Sequence, residues 1–220
     1  WTSGLVCAVG AIDIEPGDEV IVTPWTMPAT ATAIIHWNAI PVFADIDKDT
    51  FNISPKSIIK NISKKTKAII AVDIFGQSAE IDKIMKIAKK YNLKVISDSA
   101  QAIGTLNKGR FSGTIADVGG FSLNYHKHIN TGEGGILVTN NKKIYNKLTL
   151  IRNHGEMSVN SKNKKILANT FGHNFRLGEI ESAIGIEQLK KLNFFINKKR
   201  LIAEKLSKGI ADLLGLQVPK

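Results

Sequence analysis

Cysteine is almost absent: Cys7 is the only one in 220 residues. One thiol cannot close an internal disulfide, which excludes a disulfide framework and fits a reducing compartment. Structural zinc of the multi-cysteine kind is excluded with it. Long apolar runs are also lacking. Stretches such as 68–72 fall far short of the roughly 20 residues that cross a bilayer. The visible start has no basic segment leading into a hydrophobic one, so a soluble, cytoplasmic protein with no membrane partner is expected. An initiator methionine is missing, and the chain stops at Lys220 just after a helical run. The expectation is an internal fragment of a longer protein.

Acids are scarce only toward the end. Residues 1–140 carry 14 Lys and Arg against 13 Asp and Glu, whereas residues 141–220 carry 16 against 6. Such an excess could suit nucleic acid or an anionic small molecule. Its lysines, however, stand among asparagines and isoleucines without interleaved aromatics, and no helix-turn-helix, zinc-finger or RNP pattern accompanies them. Nucleic acid is therefore not expected. A solvated basic face, with some attraction for phosphorylated ligands, is.

With 43% hydrophobic residues, the chain can build one large domain, or one domain and part of another. Short apolar runs alternate with helical stretches, the pattern of βα units and a mostly parallel sheet. Strands are read at 19–23, 40–46, 68–75, 94–100, 117–123 and 135–139. Helices are read at 5–12, 27–37, from Pro55 with Ser54 as N-cap, at 81–91, 142–152, 177–192 and 194–214. The polar stretch 156–172 reads as a loop. The sheet domain is thus expected over 1–153, with a connecting loop and a helical, truncated second domain over 154–220.

The loop between the last two strands reads NYHKHINTGEGG, 124–135. His126 and His128 suggest a metal pair, but a site needs a third ligand. No recognisable spacing ties Glu133, His154 or His173 to them, so no metal is expected. Lys127 has another reading. Desolvated between buried strands, its amine loses basicity and becomes a nucleophile toward a carbonyl. Asp98 ends its own strand, at the sheet edge where α/β folds bind ligands. A buried carboxylate there can hold a pyridine nitrogen protonated, and lysine with such an aspartate is the minimum apparatus of pyridoxal-phosphate chemistry. Thr2, Ser3 and Ser122 offer hydroxyls to a phosphate, and Trp25 offers a flat ring for stacking.

Five ordered blocks carry a family resemblance: PGDEVIVTPWTMPATA (16–31), IPVFADID (40–47), SDSAQAIG (97–104), GGFSLNYHKHINTGEGGILVTN (119–140) and GHNFRLGEIESAIGIEQL (172–189). The chain resembles the DegT/StrS sugar aminotransferases, fold type I pyridoxal-phosphate enzymes. The resemblance implies the large domain of that fold, a mostly parallel sheet flanked by helices, followed by the start of the small domain. It implies that Lys127 carries the cofactor covalently, that Asp98 pairs with the pyridine nitrogen and that Gln101 approaches the ring hydroxyl. It also implies that Trp25 stacks on the ring and that Thr2, Ser3 and Ser122 serve the phosphate. Asn174 matches an asparagine supplied from the neighbouring subunit, which implies a homodimer with shared sites. The implied reaction moves an amino group from glutamate or glutamine to a nucleotide-linked 4-keto or 3-keto sugar for surface-glycan synthesis. A sugar dehydratase, an inosose aminotransferase and a non-catalytic regulatory protein are the alternatives. Ile103 stands where many relatives have histidine and His126 where threonine or serine is common, which bears on the substrate subgroup.

Overall fold

A computed structural model describes residues 1–156, 171–216 and 218. Most of the 156–172 stretch read as a loop lies outside the described residues.

The chain opens with helix α1 (Thr2–Ala11), followed by β1 (Glu19–Val22), α2 (Pro28–Ile35), β2 (Ile40–Phe43), α3 (Pro55–Asn61), β3 (Thr66–Val72), α4 (Ile81–Tyr91) and β4 (Lys94–Asp98). A small hairpin, β5 (Leu106–Asn107) and β6 (Arg110–Phe111), precedes β7 (Val118–Ser122), β8 (Gly135–Val138) and α5 (Lys142–Arg152). Two further helices, α6 (Glu179–Lys190) and α7 (Leu192–Ile210), complete the described chain.

Six strands form one sheet in the order β2-β1-β3-β4-β7-β8. Every pairing is parallel except β7 with β8. Side chains of a strand point alternately to its two faces, and the sequence uses both. Val20, Val22, Ile70 and Ile96 join Leu5, Val9, Ile34 and Ile144 on the α1, α2 and α5 side. Ile21, Ile69 and Val95 meet Ile58, Ile81 and Ile84 on the α3 and α4 side. Each fully buried aliphatic side chain contributes about 1.5–3 kcal/mol, so two continuous apolar layers hold the sheet rigid.

Local chemistry sets the element ends. Ser54 Oγ accepts from Ser57 N at the start of α3, with Pro55 at the first helical position. Asn141 Oδ1 caps α5 through Lys143 N and Ile144 N. Asn92, in the left-handed region at φ 55°, ends α4. In β7, Gly119 and Gly120 are required by close approach. A Cβ on Gly119 would lie 2.0 Å from the Gly113 carbonyl oxygen, and one on Gly120 would lie 1.9 Å from the Trp1 ring.

Several strands are shorter than their apolar runs. The run read as strand over 68–75 leaves the sheet after Val72, where Ile74–Gly76 form a 3-10 turn with Phe75 at φ 55°. The strand read over 94–100 ends at Asp98, and that over 40–46 at Phe43. Helices α6 and α7 bury no residue fully; Ile180, Ile186, Leu189, Leu201 and Leu206 are exposed. Helix α7 nonetheless touches the sheet domain, because Ile196 and Leu192 pack over Gly104 in the loop after β4. No helix among the described residues is long and apolar enough to cross a membrane.

Candidate active site

The carboxyl ends of β3, β4 and β7 lie side by side, since Val72 pairs with Asp98 and Asp98 with Gly120. Asp98 is the last residue of β4 and only 4% exposed. Its carboxylate takes three donors. Trp1 Nε1 donates to Oδ1 at 2.8 Å, Ala100 N donates to the same oxygen at 3.2 Å, and Thr30 Oγ1 donates to Oδ2 at 2.9 Å. Burial pushes the Asp98 carboxyl above its ordinary value, while the three donors and the charge of Lys127 pull it back. A carboxylate offers about four lone-pair positions, so Oδ2 keeps room for one more N–H donor.

Lys127 is half-buried in the loop between β7 and β8. The loop is pinned at its base: Leu123 N donates to Gly134 O at 2.9 Å and Thr131 N to Leu123 O at 3.0 Å. Inside it, Lys127 N donates to Asn124 O at 2.9 Å, and Asn124 Nδ2 donates to Glu133 Oε1 at 2.5 Å. Asn124 Oδ1 is buried with no partner among the described residues. Desolvation lowers the Lys127 pKa, Asp98 opposes that shift and Lys199 of α7 adds to it. The arrangement therefore holds a buried acid and an amine of reduced basicity in mutual electrostatic reach.

The remaining expected residues divide into two groups. Ser122, 3% exposed at the end of β7, accepts from Asn124 N at 3.3 Å and keeps its own proton to donate. Gln101 Oε1 accepts from Phe75 N at 2.7 Å. Trp25 is half-exposed, its backbone fixed by Thr23 Oγ1 at 3.1 Å and its ring tilted against Phe51 at 6.5 Å. Thr2 and Ser3 instead open the first turn of α1, which has no side-chain cap and no acid. They line a cavity of about 1120 Å³ together with Asn174 and Arg176. Asp98, Lys127, Ser122, Gln101 and Trp25 do not line that cavity; Trp1 lines it and also reaches Asp98.

His126 stacks edge-on with Tyr125 at 5.1 Å, and burial lowers His128, with Lys199 and Lys127 adding to the shift. Among the described residues no group of three His, Cys, Asp or Glu could hold a metal ion.

Sequence reasoning missed Thr30, Trp1 and Asp73. Nothing local marks Thr30, whose partner lies 68 residues away. Asp73 does carry a signal, an acid near the end of a buried apolar run, as Asp98 is in its own run.

The DegT/DnrJ/EryC1/StrS aminotransferase family model matches residues 1–220. The chain is 38% identical over 213 residues to the GDP-perosamine synthase of Escherichia coli O157:H7, covering 97% of this chain and 57% of that protein. Among solved structures, an aminotransferase from Psychrobacter cryohalolentis superposes with a TM-score of 0.92 at 36% identity, covering 100% of this chain and 58% of that one. NtdA from Bacillus subtilis, solved with bound cofactor PMP, gives 0.89 at 32% identity, covering 100% and 50%. The chain thus spans about half the length of the relatives it matches.

Proposed function

The chain belongs to the DegT/DnrJ/EryC1/StrS aminotransferase family, and from that premise we propose that its protein is a pyridoxal-phosphate-dependent aminotransferase. It takes an amino group from glutamate or glutamine and delivers it to a nucleotide-linked 4-keto or 3-keto sugar, in the cytoplasm, for polysaccharide or surface-glycan synthesis. The single observation that carries this reading is the buried Asp98 carboxylate at the carboxyl end of β4, with the half-buried Lys127 amine within its electrostatic reach.

The donor set fits the cofactor. Oδ2 of Asp98 can accept from a protonated ring nitrogen, Ser122 keeps a hydroxyl proton, and Asn124 Oδ1 is a buried acceptor without a partner among the described residues. In this reading Lys127 anchors the cofactor, Asp98 holds its ring nitrogen, Gln101 and Trp25 flank the ring, and Thr2, Ser3 and Ser122 serve its phosphate together with Asn174 of the partner subunit. Bound there, pyridoxal phosphate supplies a carbonyl that combines with amines and a ring that stores an electron pair.

The chain's own groups do the rest. Burial of Lys127 lowers its pKa and so makes Nζ readier to give up its proton, which suits the same nitrogen to serve as nucleophile and then as acid and base at the reacting carbon. Burial of Asp98 makes its charge act in a poorly screened environment, which strengthens its hold on a cationic ring. Pinning of the loop at Leu123 and Thr131 fixes the backbone that carries Lys127.

Residues 1–153 form the cofactor-binding domain in this reading, and 154–220 begin the smaller one. A homodimer with shared sites completes the enzyme. The test is amine transfer by the full-length protein from glutamate and from glutamine to a panel of nucleotide-linked keto sugars, with products weighed by mass spectrometry. An aminated sugar is expected. Loss of water without amine transfer would replace the reading with a dehydratase, and no reaction of any sugar would remove it.

A further inference from the structure

Asp73 follows β3 directly, and its amide donates to the Asp98 carbonyl at 3.0 Å. Its side chain is 1% exposed and lies across β4 from the Asp98 carboxylate. The reason is alternation: Ser97 and Ser99 point to the face opposite Asp98, and both give their hydroxyl protons to Asp73. Ser99 Oγ is 2.5 Å and Ser97 Oγ 3.3 Å from Oδ2, while Ala79 N donates to Oδ1 at 2.8 Å. One carboxylate thus ties down the residues on both sides of Asp98 and closes the loop 73–79.

That loop reaches a second expected site residue. Asn52 holds it from below, accepting from Ile74 N at 3.1 Å and donating to Gln77 O at 3.2 Å. Thr105 Oγ1 donates to Gly76 O at 2.6 Å, and Phe75 N donates to Gln101 Oε1 at 2.7 Å. Phe75 sits at φ 55°, a conformation a bulky residue adopts only when its surroundings impose it.

We infer that Asp73 is a positioning residue: through Ser97, Ser99 and Ala79 it fixes the backbone around Asp98 and the turn that orients Gln101. The inference rests on the proposed role of Asp98 toward the cofactor ring. Electrostatics agree with it. Burial pushes the Asp73 carboxyl up to about 6, the hydroxyl and amide donors oppose that shift, and Asp98 is the charged neighbour that adds to it. The donors that position the strand are thus the same ones that keep Asp73 ionised.

Two measurements on the full-length protein test this. In the cofactor-free protein, Asp73→Asn should raise amide exchange about tenfold or more over 73–79 and 95–101, because a carboxamide cannot accept from three donors at once, while α5 keeps its protection. Ser99→Ala, the milder variant, should raise exchange over 95–101 alone. Unchanged exchange in both variants would overturn the inference. With pyridoxal phosphate bound, Asp73→Asn should displace the pH midpoint of the cofactor's absorbance, and adding Ser99→Ala should displace it little further, since Ser99 acts through its bond to Asp73. Raised exchange with an unmoved midpoint makes Asp73 merely structural and overturns the positioning role. Failure of the wild-type protein to take up cofactor would count against the proposed function, leaving the exchange measurement to decide the role of Asp73 separately.

Discussion

Replacing Thr30 by valine removes one hydroxyl from the surroundings of Asp98 and leaves the packing nearly unchanged, because a methyl takes the place of Oγ1. Thr30 is fully buried and gives its proton to Asp98 Oδ2 at 2.9 Å, while the Thr26 hydroxyl, 3.1 Å away, donates to Thr30. Both other donors to the carboxylate reach Oδ1. Thr30→Val therefore strips Oδ2 of the donor that faces it and strands a buried negative oxygen. A hydrogen bond to a charged group is worth about 1.5–3 kcal/mol, and that is the expected loss of stability in denaturant unfolding at pH 8.

The loss should also depend on pH in a definite sense. Burial raises the Asp98 pKa above its ordinary value, so the folded state resists ionising this group. Stability from Asp98 is greatest below the unfolded pKa and declines as pH rises through the higher folded one. The Thr30 bond offsets part of that decline, so its removal matters most where Asp98 is ionised. The deficit should shrink as the pH is lowered, and the variant should also release pyridoxal phosphate more readily. A deficit under about 0.5 kcal/mol at pH 8, below the usual range for such bonds, or one independent of pH, would refute the reasoning.

Lys127 should acetylate at lower pH than exposed lysines such as Lys83, because desolvation lowers its pKa. Competitive labelling read by mass spectrometry across a pH series checks this, and coincident curves would contradict it. Gly120→Ala forces a Cβ to 1.9 Å from the Trp1 ring and 2.3 Å from the Ile136 carbonyl oxygen. A loss of about 1–3 kcal/mol is expected from such overpacking, together with displacement of the indole from Asp98, and thermal melting measures it. Cys7 is 1% exposed and burial pushes its thiol up to about 11. Iodoacetamide at pH 8 should leave it unmodified in the folded protein and label it rapidly in denaturant.

Elements bounded by strong local chemistry were legible from the sequence. Helix α4 occupies the residues its apolar spacing marks, ending at the left-handed Asn92, and α5 starts where Asn141 caps it. Strand ends were read too long because apolarity persists after the ladder stops. Ile74 and Phe75 look like strand, yet the Asp73 carboxylate folds the chain back to Ala79. The hairpin of β5 and β6 carries no such mark: Lys108 and Gly109 at its turn both have positive φ, the geometry that two-residue hairpins favour, but they are not the Asn-Gly or Asp-Gly pair that signals it in a sequence. In the candidate site, Asp98 and Lys127 were readable because a strand-end acid and a loop lysine are visible locally. Thr30 was not, because only the folded chain brings the first turn of α2, 68 positions away, against the end of β4.

Covalent capture of the cofactor tests the central proposal most directly. The full-length protein is incubated with pyridoxal phosphate, reduced with borohydride, digested and mapped by mass spectrometry. A single stable pyridoxyl adduct on Lys127 is expected, abolished by Lys127→Ala and weakened by Asp98→Ala. Adduct on another lysine, or none at all, would contradict it.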